Sequence, residues 1–216
     1  RLRKGVESID AAGSALAANV KGIGSFFTDG GVSELIANHG TAVVYSTGSS
    51  AWQTITGQTA RTNGTRMYGV TMNNLFYAVS GDVVSFKITS GNSGTDLGTN
   101  LNGTAGNFPI AQYVAFWNNH MWTGKTRESG TYQNSRVRWS HLNDPETWDS
   151  TSYVDIDIGE RGDEITGFAP MADRLVIFKS NSVFAMFGHD TETFQMVPLT
   201  RDVGSVALSS PVSTPL

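Results

Sequence analysis

A unit of short β-prone runs separated by turn residues recurs along this chain and is the main constraint on its fold. The units begin near Lys21, Arg66, Ile110 and Glu164, at intervals of 45, 44 and 54 residues. Apolar and polar residues alternate within them, and Asn-Asn and Gly-Asp pairs stand where the chain must turn. Repeats of about 40 to 50 residues with four strands each are typical of β-propeller blades.

The repeat therefore predicts an all-β, β-propeller-like fold with about four antiparallel four-stranded blades plus a stub. The predicted blades span residues 21–57, 64–90, 108–155 and 163–199. They lie in a propeller region at 21–204, after an N-terminal arm at 1–20. Residues 205–216 would begin a further, truncated blade of a larger propeller. A β-sandwich is the alternative, because it has similar strand statistics.

Composition favours strands and turns over helices. Glycine accounts for 24 of the 216 residues, and charged residues make up only 16%, as expected for short strands joined by turns. There is no cysteine, which excludes disulfides, thiolate catalysis and cysteine-ligated zinc. The net charge of −4 provides no general attraction to nucleic acid or anionic lipid. No apolar run approaches the roughly 20 residues of a membrane span, so we expect no membrane partner.

A polar stretch, Ser90–Asn107, separates the second unit from the third. Its composition, rich in glycine, asparagine and threonine, cannot bury enough apolar surface to fold alone, so we predict a loop. This loop and the 1–20 arm, which has a basic tip, are candidates for contacts between subunits.

The turn SHLNDPETW at Ser140–Trp148 resembles the Asp-box of sialidase-type propellers, Ser-x-Asp-x-Gly-x-x-Trp. The spacing from Ser140 to Asp144 is longer than in that motif, and Pro145 replaces the glycine. We predict a turn in which the aspartate bonds its own backbone and Trp148 packs on the apolar face of the sheet. Such a turn is structural and remote from catalysis.

Three aspartates, Asp155, Asp157 and Asp163, stand at positions 1, 3 and 9 of a calcium-loop spacing. Position 5 is Gly159, which has no side-chain oxygen, and position 12 is Thr166 instead of the bidentate glutamate. Alternation with apolar neighbours also explains the first two aspartates as the solvent-facing side of a strand. Calcium binding is therefore a weak candidate, and no other metal or cofactor is assigned.

Strand alternation places Arg136 and Arg138 on one face and their apolar neighbours on the other. The two arginines could line a channel or a rim and contact phosphates without sequence preference. An ordinary sheet with a solvated edge is the alternative.

No catalytic residues are assigned. The four histidines are taken to fall in four different units, and there is no Gly-x-Ser-x-Gly elbow or P-loop. Nothing in the sequence selects a pair of carboxylates of the kind that glycosidases use. We therefore predict that the chain is not an enzyme, with a glycosidase as the alternative.

Four segments carry a family resemblance, namely RVRWS at Arg136–Ser140, NDPETW at Asn143–Trp148, DEITG at Asp163–Gly167 and LVIFK at Leu175–Lys179. Together they resemble bacteriophage tail and connector propellers, the podoviral tail nozzle and packaged-DNA stabilisation proteins. The resemblance implies a structural virion protein, a nozzle or head-to-tail connector ring subunit that retains the packaged genome and conducts it during DNA ejection.

The same resemblance implies partners and a location. It implies a homo-oligomeric ring, a hexamer, bound to the portal and adaptor proteins of the connector and in transient, non-specific contact with genome DNA. The location would be the virion tail, after assembly in the host cytoplasm. The alternative function is a carbohydrate-binding or glycan-degrading propeller, either a lectin-like tail-fibre domain or a glycosidase.

Overall fold

Short antiparallel strands joined by tight turns make up the protein. A computed structural model describes residues 16, 20–48, 51–157 and 163–205. Over those residues it contains sixteen strands in four sheets and no helix. In every sheet the four strands follow one another in sequence order, and each pairs antiparallel with the next. The predicted all-β class is confirmed.

One compact unit comprises residues 1–96. Its first sheet consists of β1 (Val20–Phe27), β2 (Ser33–His39), β3 (Ala42–Ser46) and β4 (Gln53–Thr54). Its second sheet consists of β5 (Tyr68–Met72), β6 (Leu75–Val79), β7 (Phe86–Ile88) and β8 (Gly94–Asp96). Asn73 and Asn74, with φ of 52° and 61°, form the two-residue turn between β5 and β6. Asparagine tolerates this left-handed conformation, as the sequence predicted.

The first strands of these two sheets approach closely because glycines face the opposite sheet. A Cβ on Gly24 would lie 2.7 Å from the Phe76 ring, and one on Gly22 would lie 2.2 Å from the Met67 carbonyl oxygen. Side chains at either position would force the strands apart. The core that results is apolar and contains Phe26, Ile36, Val43, Ile55, Met67, Phe76, Ala78, Phe86 and Ile88.

The second unit comprises residues 97–216. One of its sheets consists of β9 (Ile110–Trp117), β10 (His120–Glu128), β11 (Thr131–Trp139) and β12 (Tyr153–Asp155). The other consists of β13 (Ile165–Pro170), β14 (Leu175–Lys179), β15 (Val183–Phe187) and β16 (Gln195–Thr200). Asn118 and Asn119, with φ of 50° and 59°, repeat the Asn-Asn turn between β9 and β10. The register between β10 and β11 shifts at Gly124/Thr126.

The stretch predicted as a loop at Ser90–Asn107 is partly a strand. β8 lies within it and pairs with β7, so the second sheet extends beyond the predicted end at residue 90. The prediction failed because a strand at a sheet edge is held by backbone hydrogen bonds and needs few apolar side chains. The rest of the stretch is tied internally, since the Asn107 side chain accepts from Asn100 N at 3.0 Å and donates to Thr104 O at 2.9 Å.

The two ends of the chain were assigned an arm and a further blade. The predicted arm at 1–20 and the predicted blade at 205–216 lie outside the described residues, apart from residues 16, 20 and 205. Gly159 of the calcium-loop spacing also lies outside them.

Candidate functional site

Arg136 and Arg138, predicted to line a channel or rim, lie in an ion-pair network on the β9–β12 sheet. Arg136 is opposite Asp155 across the β11–β12 pair and donates to both carboxylate oxygens, at 2.7 and 2.6 Å. Its third contact is Glu128, at 2.9 Å, which also accepts two hydrogen bonds from Arg138, at 2.7 and 2.9 Å. Such bidentate, charge-assisted contacts are the strongest hydrogen bonds that arginine makes.

The network changes the acidity of its members. Burial by itself would raise the pKa of Glu128, but hydrogen bonds from Arg138 and Thr126 and the charges of both arginines lower it to about 2. The pKa of Arg136 is raised, first by its hydrogen bonds to Asp155. Each group is therefore held in its charged form over the whole ordinary pH range.

Tyr153 covers the two guanidinium groups. The Cζ atoms of Arg136 and Arg138 lie 3.8 and 4.7 Å from its ring centroid, within the range of cation–π attraction. Arg138 also donates to the carbonyl oxygens of Asp149 and Ser150 and is only 3% exposed. The structure thus places both arginines in internal contacts and leaves Arg138 almost no exposed surface.

The three aspartates of the calcium-loop spacing have separate partners. Asp155 is bound by Arg136, as described above, and Asp157 forms an ion pair with Arg201. Asp163 accepts hydrogen bonds from the turn between β14 and β15. Among the described residues, no group of three or more histidine, aspartate or glutamate side chains is arranged so that it could hold a metal ion. The structure therefore does not bring the calcium candidates into one site, because cations and a turn already bind them.

Lys179 is a fully buried charged residue at the end of the apolar strand β14. Its Nζ donates to the carbonyl oxygen of Ile156 at 2.8 Å and lies 3.7 Å from Asp163. Burial lowers the pKa of Lys179, and the charge of Asp163 opposes that change. The side chain thus connects β14 to the segments on either side of residues 158–162. A lysine inside the run LVIFK was the available signal.

The Asp-box-like turn has the predicted structural form. Trp148 is fully buried, its Nε1 donates to Pro145 O at 2.9 Å, and its ring packs edge-on against Phe108 at 4.9 Å. Asp144 accepts a hydrogen bond from the backbone N of Glu146 at 3.0 Å. These contacts fix the turn.

A cavity of about 490 Å³ lies beside this turn. Two histidines, His120 and His141, and two aspartates, Asp149 and Asp190, line it. The other described lining residues are Ser140, Leu142, Ser152 and Thr191. The expectation that every histidine belongs to a different unit is wrong, because the start of β10 and the turn after β11 bring two of them together. No sequence motif predicts this site, since its residues come from four separate segments.

His120 has one satisfied and one unsatisfied ring nitrogen. The residue is 2% exposed, and its Nδ1 lies 2.7 Å from Ser140 O. Because a carbonyl oxygen can only accept, Nδ1 carries the hydrogen. Nε2 is buried and makes no hydrogen bond with the described residues. Burial lowers the pKa of His120, although the contact with Ser140 opposes this, so the ring is neutral and Nε2 presents a lone pair.

The two carboxylates on the cavity wall are anchored. Asp149 lies 2.7 Å from Nε2 of His141. Asp190 accepts hydrogen bonds from Thr193 Oγ1 at 2.7 Å and Thr193 N at 2.9 Å, and these lower its pKa. The described lining residues include no lysine or arginine. The wall of the cavity therefore carries negative charge.

Aromatic rings pack behind the cavity wall. The Phe194 ring lies 5.4 Å from His120, 5.0 Å from Trp122 and 5.5 Å from Trp139. The His120 ring is also edge-on to Trp122, at 6.3 Å. Trp122, in direct contact, and Trp139, through Phe194, therefore lie close to His120.

The protein is propeller-like in class, for two reasons. Each sheet has four antiparallel strands in sequence order, and within each unit the first strands of the two sheets pack against each other. Comparison with solved structures agrees with that class, and the predicted fold is confirmed. No family model matches the chain, and no curated protein matches it either. Of the described residues, none forms a helix long and apolar enough to cross a membrane.

Two of the solved structures that are similar to this chain illustrate the likeness. The WD40 repeats of RRP9 match with a TM-score of 0.51 and 13% identity, over 88% of this chain and 55% of that one. An extracellular domain of the hybrid two-component system BT4673 from B. thetaiotaomicron matches with a TM-score of 0.50 and 13% identity, over 88% of this chain and 23% of that one. The chain thus spans about half and about a quarter of those chains, and at these identities the likeness shows the fold alone.

Proposed function

We propose that this chain belongs to a structural ring protein of a bacteriophage tail, a nozzle or head-to-tail connector subunit that retains and conducts the packaged genome. The sequence support is the resemblance carried by RVRWS, NDPETW, DEITG and LVIFK. The propeller-like fold is compatible with this role but is shared by proteins of many functions.

The observation that carries the proposal is the neutralisation of Arg136 and Arg138 by Glu128 and Asp155. A subunit that surrounds a DNA path must let the duplex slide. Every free lysine or arginine that contacts a phosphate releases counterions and strengthens binding. Arginines held between carboxylates stiffen the sheet without adding affinity for DNA.

Short outer strands support association through side chains and loops. The outer strand β16 has six residues, whereas β4 has two and β8 and β12 have three each. Edges this short offer few free backbone groups for pairing with another chain. The proposed ring contacts, between copies of the subunit in a hexamer and with portal and adaptor proteins, would therefore use loops and the 1–20 arm.

The first experiment measures assembly with the intact protein. Mass photometry should detect a closed oligomer, and negative-stain electron microscopy should show rings. Antibody labelling of the phage particle should place the protein on the tail axis. A protein that stays monomeric at micromolar concentration and labels elsewhere on the particle would contradict the proposal.

The second experiment tests the role given to the arginines. Substitution Glu128→Gln removes one of the two carboxylates that hold Arg136, whose side chain is 15% exposed, so binding to a DNA duplex at low salt should increase relative to wild type. The control, Asp173→Asn, makes the same change in net charge at an exposed ion pair with Arg174. Tight DNA binding by the wild-type protein at physiological salt would refute the sliding argument.

A further inference from the structure

We propose that the cavity lined by His120, His141, Asp149 and Asp190 is a binding site for a small primary amine. The inference goes beyond the proposed structural role, because it assigns a ligand to a site that a ring subunit does not need. It rests on the charge of the wall, the unsatisfied nitrogen of His120 and the size of the cavity.

The charge of the wall selects a cation. Asp149 and Asp190 supply two carboxylates, while the described lining residues include no lysine or arginine. Asp190 is exposed, and its Oδ1 accepts the two hydrogen bonds from Thr193. An ammonium group would find acceptors at this wall, whereas a phosphate or carboxylate ligand would be repelled.

The state of His120 points to a ligand that donates hydrogen bonds. Its Nδ1–H is committed to Ser140 O, and its Nε2 lone pair is buried without a donor. Buried polar atoms normally have partners, and an unpaired one costs free energy. A primary ammonium carries three N–H donors and so supplies what acceptors of this kind lack.

A saccharide is the competing ligand, and two observations count against it. Sugar hydroxyls need donors as well as acceptors from the wall. Ser140, one of the three lining hydroxyls, is committed, since its Oγ accepts from Met121 N and donates to His141 O. The described lining residues also include no tryptophan, tyrosine or phenylalanine on which a sugar ring could stack. The cavity volume, about 490 Å³, suits a small organic molecule.

The test uses the intact protein at pH 8 and low salt, with 1,4-diaminobutane as the probe and 1,4-butanediol as its neutral match of equal length. N-acetylglucosamine represents the saccharide alternative. Binding is followed by calorimetry and by tryptophan fluorescence, since His120 packs on Trp122. The diamine should bind saturably and shift the ¹⁵N resonance of His120 Nε2, while the diol should not bind.

Variants locate the site. Asp190→Asn keeps an oxygen for Thr193, and the affinity for the diamine should fall about threefold to fivefold. Asp149→Asn keeps an acceptor for His141 and should act similarly, which guards against a folding defect in one variant. The control Asp173→Asn removes an equal charge from an ion pair with Arg174 elsewhere in the same unit, and affinity should change less than twofold.

Three results would overturn the proposal. The first is the absence of saturable diamine binding to the wild-type protein. The second is equal or tighter binding of the diol or the saccharide. The third is an equal loss of affinity in Asp173→Asn and Asp190→Asn, which would mean that only the net charge of the protein attracts the amine.

Discussion

Substitution Glu128→Gln should destabilise the protein through the arginine network. The fold lowers the pKa of Glu128 from its ordinary 4.5 to about 2. At about 1.4 kcal/mol per pKa unit, this corresponds to roughly 3 kcal/mol. The Glu128 side chain is 21% exposed, so solvent screening reduces its contribution to about 1–2 kcal/mol.

The cost of leaving Arg138 without its carboxylate partner adds to this loss. Arg138 is nearly buried, and breaking a buried pair is normally severe, about 3–5 kcal/mol. Here the guanidinium keeps its bonds to the Asp149 and Ser150 carbonyls, and a glutamine oxygen can still accept from it. We therefore expect a total loss of about 2–3 kcal/mol in the free energy of unfolding at pH 7.

The pH dependence separates this mechanism from simple loss of packing. Because the folded pKa of Glu128 is depressed, its stabilisation is present above pH 4.5 and disappears as the pH falls toward 2. The difference in unfolding free energy between wild type and Glu128→Gln should shrink across that window. Urea denaturation at a series of pH values measures it. A loss under about 0.5 kcal/mol at pH 7, or a difference that does not vary with pH, would refute the reasoning.

Three further changes test other parts of the structure. Gly24→Ala places a methyl group against Phe76 and should cost about 1–3 kcal/mol of stability in thermal unfolding, whereas Gly30→Ala, with its nearest neighbour 3.7 Å away, should cost under about 0.5 kcal/mol. Burial lowers the pKa of Lys179 below 10.5, so the stability of the wild-type protein should rise as the pH approaches 10.5. Denaturant titrations should show a smaller rise in Lys179→Met. An unchanged rise would contradict the assignment of this effect to Lys179. Trp148→Phe removes a buried hydrogen bond and leaves a cavity, and should lower stability by about 2–3 kcal/mol with a clear loss of near-UV circular dichroism; a fully stable variant would contradict the structural role of this turn.

Local features of the fold were predictable from the sequence. The Asn73-Asn74 and Asn118-Asn119 turns have the positive φ that asparagine tolerates. The alternation of apolar and polar residues predicted the strands on either side of each turn. The buried Trp148 turn also follows from a few adjacent residues. By contrast, β8 was not predicted, because an edge strand is held by backbone hydrogen bonds and its side chains show only a weak pattern.

The candidate site was hidden because it depends on contacts between distant segments. Alternation put Arg136 on the correct face, but the strand register that places it opposite Asp155 cannot be read from composition. The cavity joins His120 to Asp190, which are 70 positions apart in the chain. Two histidines and two aspartates at such spacings match no motif, so only the folded chain reveals them together.

The sequence-ordered strands of each sheet bear on how the chain folds as it is synthesised. All the strand pairings within a sheet come from one continuous segment, which leaves a ribosome in several seconds at about 5–20 residues per second. A hairpin forms in about 1–10 μs, so one sheet can pair before the next is translated. The contact of Gly24 with Phe76 sets a limit, because the first sheet stays incompletely packed until β6 has emerged. A nascent chain that has been synthesised as far as Asp96 is therefore the shortest in which we expect the described strands β1 to β8 to resist proteolysis.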